Sequence, residues 1–257
     1  MWSFILTMTS IRLNFFFCFL AISALWSCVS GNTVNPIQAK SEYRQAVEAK
    51  SINAKSEMYS HLNKAIQMDP NEPNFHLALG TAYLEDGDLK NAEKEFYETL
   101  KIDSNYLEAH RNLGRLYIVL EKWDKAIFEL KQSLSKPGVS FPQEVHNYLA
   151  LCYYSKKDIN SALIEWRNAL KIQENALIRL NLALALKELE NDDLAVQSLK
   201  KAISLKPTLV RARHELALLL LKKKKFDEAR VQFNKVSKLD KEGKFALEAQ
   251  EYLQLIP

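Results

Sequence analysis

From residue 74 to the C-terminus the apolar positions fall into two sets that return at a near-constant interval. One set reads Leu79-Gly80-x-x-Tyr83, Leu113-Gly114-x-x-Tyr117, Leu149-Ala150-x-x-Tyr153, Leu182-Ala183-x-x-Leu186 and Leu216-Ala217-x-x-Leu220. These residues sit at i, i+1 and i+4, one stripe of an amphipathic helix. The other set reads Ala92–Phe96, Ala126–Leu130, Ala162–Trp166, Ala195–Leu199 and Ala229–Phe233, its alanines 34, 36, 33 and 34 residues apart. Each interval is therefore expected to hold two helices. For the clearest unit the spacing predicts them at about 74–85 and 89–102, with Asp86-Gly87-Asp88 breaking the pattern between.

The small residues have a packing purpose. Gly80, Gly114, Ala150, Ala183 and Ala217 let the paired helix approach closely, and Tyr83, Tyr117 and Tyr153 fill the space between neighbouring pairs. Interiors pack near crystal density, which demands such matching of small against large. Asp88, Asp124, Asp158, Asp192 and Asp227 recur near the turn. A carboxylate there can accept from free backbone N–H groups and suits the positive end of the second helix.

This pattern resembles the tetratricopeptide repeat family. The resemblance implies an all-α, right-handed superhelix of about six helix-turn-helix units at 39–72, 73–106, 107–140, 143–175, 176–209 and 210–242. Pro70 and Pro207 fall where the family often places proline. In the first unit Met58 replaces the alanine, and an atypical end unit suits capping. Residues 243–257 are read as a capping helix, with Phe245, Leu247, Tyr252 and Leu255 to cover the last repeat. The resemblance also implies a concave peptide-binding groove lined by the first helices. By family analogy its residues are Asn74, Leu77, Thr81 and Leu84, then Arg111, Arg115 and Ile118, then Asn147, Leu151 and Tyr154, then Leu180 and Leu184, with Val119, Glu144 and Leu177 on the same stripe. Such a stripe, apolar and rimmed by Arg111 and Arg115, suits an extended or helical peptide.

Residues 1–35 differ sharply from the rest. Arg12 is their only charged residue and Phe15–Trp26 is almost wholly apolar. Twelve residues at ~1.5 Å each span roughly 18 Å, short of the ~30 Å hydrocarbon core. A positive charge, a short apolar run and then small residues form the layout of a secretory signal peptide, read here as 1–27, with Met8 an alternative start. Leu25-Trp26-Ser27-Cys28 resembles the lipobox of bacterial lipoproteins, which implies cleavage before Cys28 and lipidation of its thiol. Val29 after the cysteine leans towards the outer membrane, on its periplasmic face. Residues 28–38 are read as a tether, because Ser30–Gln38 is polar without helical period.

Composition narrows the chemistry. The chain has 257 residues, a net charge of +4, six glycines and seven prolines. So few turn-formers argue against a hairpin-rich sheet protein, and so small a charge surplus gives no reason to expect nucleic acid. Three cysteines build no disulfide scaffold, and Cys152 on a tyrosine-bearing helix reads as buried apolar filler. His76, His110 and His146 share the fourth place of their repeats, so they stack one per repeat rather than converge on a metal. His61 and His214 lack an acidic or thiol cluster nearby in sequence. No phosphate loop, HExxH or GxSxG occurs, so no catalytic residue, cofactor or metal is expected. Lys222–Lys225 reads as a solvated turn, with an acidic-partner or phospholipid contact as the lesser reading.

A lipid-tied stack of six such repeats resembles the pilotin lipoproteins of type IV pilus systems. That resemblance implies a non-catalytic scaffold that binds a secretin subunit and assists its outer-membrane assembly. The alternative is a periplasmic scaffold docking cell-wall enzymes or other envelope-assembly factors.

Overall fold

The computed structural model describes residues 34–256, and every residue assigned there to secondary structure is helical. The leader 1–27, Cys28 and the start of the tether lie outside the described residues. The chain divides into two compact units, 1–79 and 80–257.

The first unit holds α1 (Pro36–Ser51) and α2 (Lys55–Met68), packed as a pair, and the start of α3 (Pro73–Asp86). Its core gathers Ala39, Ala65 and Phe75, with the Tyr43 and Phe75 rings 5.2 Å apart. The tether is shorter than its composition suggests. Asn35 caps α1 by accepting from the Gln38 N–H, and Pro36 supplies the first helical residue, where a missing N–H costs nothing. Pro36–Gln38 therefore belong to a helix.

The second unit continues with α4 (Leu89–Ile102), α5 (Leu107–Val119), α6 (Trp123–Ser133), α7 (Pro142–Ser155), α8 (Ile159–Ile172), α9 (Ala176–Glu188), α10 (Asp192–Leu205), α11 (Val210–Lys222), α12 (Phe226–Asp240) and α13 (Lys244–Leu255). Helices pack in the consecutive pairs α5/α6, α7/α8, α9/α10 and α11/α12, each pair resting on the next, and α13 packs on α12 and α11. The small-residue stripe does what its spacing predicts. A Cβ built on Gly114 would meet Leu130 Cγ at 2.5 Å, and one on Gly80 would meet Phe96 at 2.8 Å. Ala150, Ala183 and Ala217 are buried at the equivalent places. Tyr117 reaches back to the preceding second helix, its hydroxyl donating to Glu93 at 2.8 Å and lying 2.8 Å from the Tyr97 hydroxyl.

The turns inside the hairpins share one backbone device. Gly87, Glu121, Lys157, Glu190 and Lys224 all have left-handed φ, between 54° and 81°. In each turn the next residue's N–H bonds back to a carbonyl five residues earlier, as Lys122 to Tyr117 at 2.8 Å and Asp158 to Tyr153 at 2.9 Å. This is the Schellman closure, which satisfies carbonyls at the helix end. Only one of the five residues is glycine.

The recurring aspartates split into two groups. Asp88 and Asp158 cap their helices, accepting from Asn91 and Ser161 N–H at 3.2 and 3.1 Å. Asp124, Asp192 and Asp227 lie inside the first turn instead, and neighbouring cations take them up. Asp124 pairs with Lys156, Asp192 with Lys222 at 2.6 Å and Asp227 with Arg230 at 3.4 Å. The cause is register. The capping aspartates stand four residues before the buried alanine, the others two or three.

Candidate functional site

The candidate site is the face made by the first helices of the second unit, and its polar groups are largely committed. Arg111 Nη1 donates to the Ser140 carbonyl at 2.8 Å, and Glu108 accepts from the Ser140 hydroxyl at 2.8 Å. Both residues thus pin the longer loop ahead of α7, so Arg111 holds a loop rather than standing free at a rim. Thr81 Oγ1 accepts from Asn112 at 3.1 Å, and Arg115 lies 3.5 Å from the Asn112 amide oxygen. Asn147 Oδ1 accepts from the indole N–H of Trp166 at 3.0 Å. The Tyr154 hydroxyl donates to Glu188, and burial is the largest cause that pushes this phenol up to about 12.

The apolar places divide more sharply. Ile118, Leu151 and Leu184 are half-buried, while Val119 and Leu177 are 60% and 53% exposed. Leu84 is also half-buried. Leu180 must be corrected: it is only 4% exposed and belongs to the core cluster. Helix α9 (ALIRLNLALALKE) is apolar on nearly every side, so a one-face rule cannot tell which leucine the neighbours cover. Asn74 is exposed and Leu77 half-buried in the first unit.

Two crevices open between successive first helices. One, about 170 Å³, lies between α7 and α9 and is lined by Gln143, Glu144, Asn147, Gln173, Asn175, Leu177 and Ile178. The other, about 320 Å³, is lined by Lys187, Glu188, Glu190, Leu218, Leu219 and Lys222. The first carries directed amides. Asn175 Oδ1 caps α9, and Gln143 Nε2 donates to Gln173 Oε1 at 2.8 Å, so free amide edges remain for a ligand's backbone.

Three of the histidines hold glutamates. His110 Nδ1 lies 2.7 Å from Glu129, His146 Nδ1 2.6 Å from Glu165, and, in the first unit, His61 Nδ1 2.6 Å from Glu42. The first two pairs join the helices of one hairpin across 19 residues, and Arg213 meets Gln232 at 3.0 Å over the same span. The hydrogen bond that Glu129 accepts raises the His110 pKa. His214 differs: burial lowers its pKa, and its Nε2 stands 3.0 Å from Glu248, off the line of a good hydrogen bond. Sequence reading missed these pairs; for His110 and His146 the signal is a glutamate 19 residues after a fourth-place histidine. His76 Nε2 lies 3.2 Å from the Pro70 carbonyl. Among the described residues no group of three His, Cys, Asp or Glu side chains is placed to hold a metal. Cys152 is buried, and desolvation pushes its thiol up to about 12, which suits apolar filler better than a nucleophile. Three lysines of the run are paired locally, Lys222 on Asp192 at 2.6 Å, Lys223 on Asp193 at 2.8 Å and Lys225 on Glu228 at 3.1 Å.

Profiles of the tetratricopeptide repeat match residues 61–94, 83–137, 176–209 and 210–242, together more than half of the chain. The chain is a tetratricopeptide repeat protein. The family is one of non-catalytic, protein-binding scaffolds. Among solved structures, the repeat body is similar to Pseudomonas aeruginosa PilF, with TM-score 0.72 and 18% identity over 84% of this chain and 97% of that one. It is also similar to YrrB, described as a tetratricopeptide protein with an unusual peptide-binding site, with TM-score 0.62 and 17% identity over 74% of this chain and 97% of that one. An uncharacterised Haemophilus influenzae protein is 27% identical over 41% of this chain, and the peroxisomal targeting signal receptor of Saccharomyces cerevisiae 24% identical over 74%. The matches span 60% and 39% of the length of these two curated relatives.

Proposed function

We propose that this tetratricopeptide protein is a lipid-anchored docking protein of the bacterial envelope, acylated at Cys28, that binds a segment of a type IV pilus secretin subunit and assists its assembly in the outer membrane. One observation carries the docking role. The first helices of the second unit present crevices between them, half-buried leucines and an exposed Leu177, while many of their polar groups are already engaged. A surface of that kind gains by covering apolar area and loses little polar hydration. Thr81, Leu84, Arg115, Ile118, Asn147, Leu151, Tyr154 and Leu184 are the residues proposed to line it. The envelope assignment is supported by Leu25-Trp26-Ser27-Cys28 at the junction of leader and body and by a repeat array that matches PilF over 97% of its length.

Deleting the protein is expected to leave secretin subunits unassembled and outside the outer membrane. Normal multimers in the deletion strain would overturn the secretin role. Co-purification of cell-wall hydrolases or synthases in place of a secretin would favour the periplasmic scaffold. Cys28→Ala is expected to release the protein from membranes, and unchanged attachment would rule out the acyl anchor.

A further inference from the structure

The second helices of the second unit turn a different surface outward. Their buried alanines, Ala126, Ala162, Ala195 and Ala229, face the core. Residues two, five and nine places after each alanine form the opposite stripe, since steps of three and four stay on one helical face. Five places on stand Lys131, Arg167 and Lys200; nine places on stand Lys171 and Lys238, all exposed. Two places on stand Phe128, Ile164 and Val231, which are 57%, 55% and 50% exposed.

Little opposes that charge. Exposed Lys235, one turn after Val231, borders the same stripe, and Arg167, Lys171, Lys235 and Lys238 have no ionic or hydrogen-bond partner among the described residues. Lys131 leans over the Tyr153 ring and Lys200 lies 3.6 Å from Glu228. Asp124, Asp193 and Asp227 stand on the same side at the N-terminal ends of these helices and are already paired with Lys156, Lys223 and Arg230. Glu129 and Glu165 are taken by their histidines.

We propose that this outward face lies on an anionic phospholipid surface, its lysines and arginines over the headgroups and its aliphatic and aromatic side chains among them. Charge complementarity and the interleaved apolar residues argue for that occupant. No residue before 80 belongs to this face, which is separate from the anchor proposed on Cys28.

The test is co-sedimentation of the full chain carrying Cys28→Ala with two kinds of vesicle, phosphatidylcholine alone and phosphatidylcholine with phosphatidylglycerol. Binding is expected only to the anionic vesicles, and weakening as salt rises. Arg167→Gln, Lys171→Gln, Lys235→Gln and Lys238→Gln together are expected to lower partition by about a hundredfold or more. Ile164→Ser with Phe128→Ser should lower it by about tenfold. Equal binding to neutral vesicles, or an unchanged fourfold variant, would overturn the proposal. So would binding of polyglutamate without vesicle binding, which would make the face a site for acidic protein. Circular dichroism checks folding, and the double variant Arg167→Gln, Lys171→Gln replaces the fourfold one if that one unfolds.

Discussion

Helices α5 and α7 hold most of their polar side chains in pairs, whereas the second helices α8 and α12 leave several cations unpaired. On α5 and α7 the arginine, asparagine and histidine groups are taken by a loop carbonyl, an indole or a glutamate. On α8 and α12 the outward Arg167, Lys171, Lys235 and Lys238 meet only solvent among the described residues. A satisfied surface recognises by shape and apolar contact at short range. An unpaired cationic one acts through a field that reaches about a Debye length, ~8–10 Å. One hairpin thus presents two kinds of binding physics on opposite sides.

The contrast breaks most severely at Trp166, which is buried on a second helix and holds Asn147 on a first. Trp166→Ala is expected to cost about 3–5 kcal/mol in urea denaturation. Trp166→Phe is milder and frees the Asn147 oxygen, so a change in peptide affinity beyond its stability loss isolates that hydrogen bond.

Ala126→Leu is next. The alanine is fully buried beside the Gly114 contact, and overpacking there is expected to cost about 1–3 kcal/mol by the same measurement.

The histidines sharpen the comparison by pH. His110 has a raised pKa, so its bond to Glu129 is at full strength below pH 6.5 and loses strength as pH rises through the folded-state value. His214 has a lowered pKa, so its contribution is complete above pH 6.5 and declines as pH falls below that. Thermal melts across about pH 5–8 should show His110→Gln most destabilised on the acid side, by less than about 1 kcal/mol given partial exposure. His214→Phe should remove the acid-side decline instead.

The smallest effect lies in the turns. Lys157→Gly is expected to stabilise by up to about 1 kcal/mol, because a lysine at left-handed φ carries a Cβ penalty that glycine escapes. Gly87→Ala should shift stability the other way by a similar amount.

The repeats were legible because a small residue and a large partner recur at fixed places, and only two packed helices satisfy both. The Asp caps were legible only where the spacing to the alanine is four. Leu180 misled because α9 offers apolar residues on most sides, and burial there depends on which neighbour covers it. The His–Glu pairs are not legible within one helix, because each glutamate stands 19 residues away on the paired helix, after His110 and His146 and before His61. The cationic face escaped because its residues lie on several helices and form no run in sequence. The groove residues came from analogy, and the structure supplies what analogy lacks: which of them are already engaged.

The left-handed turn residues have a practical consequence. Glu121, Lys157, Glu190 and Lys224 are all exposed, and backbone bonds close their turns without help from the side chain. Spaced 36, 33 and 34 residues apart, they form a row of attachment points at the repeat interval. Spin labels or dyes placed there would report the spacing between hairpins of this unit as a ruler does, without touching the core.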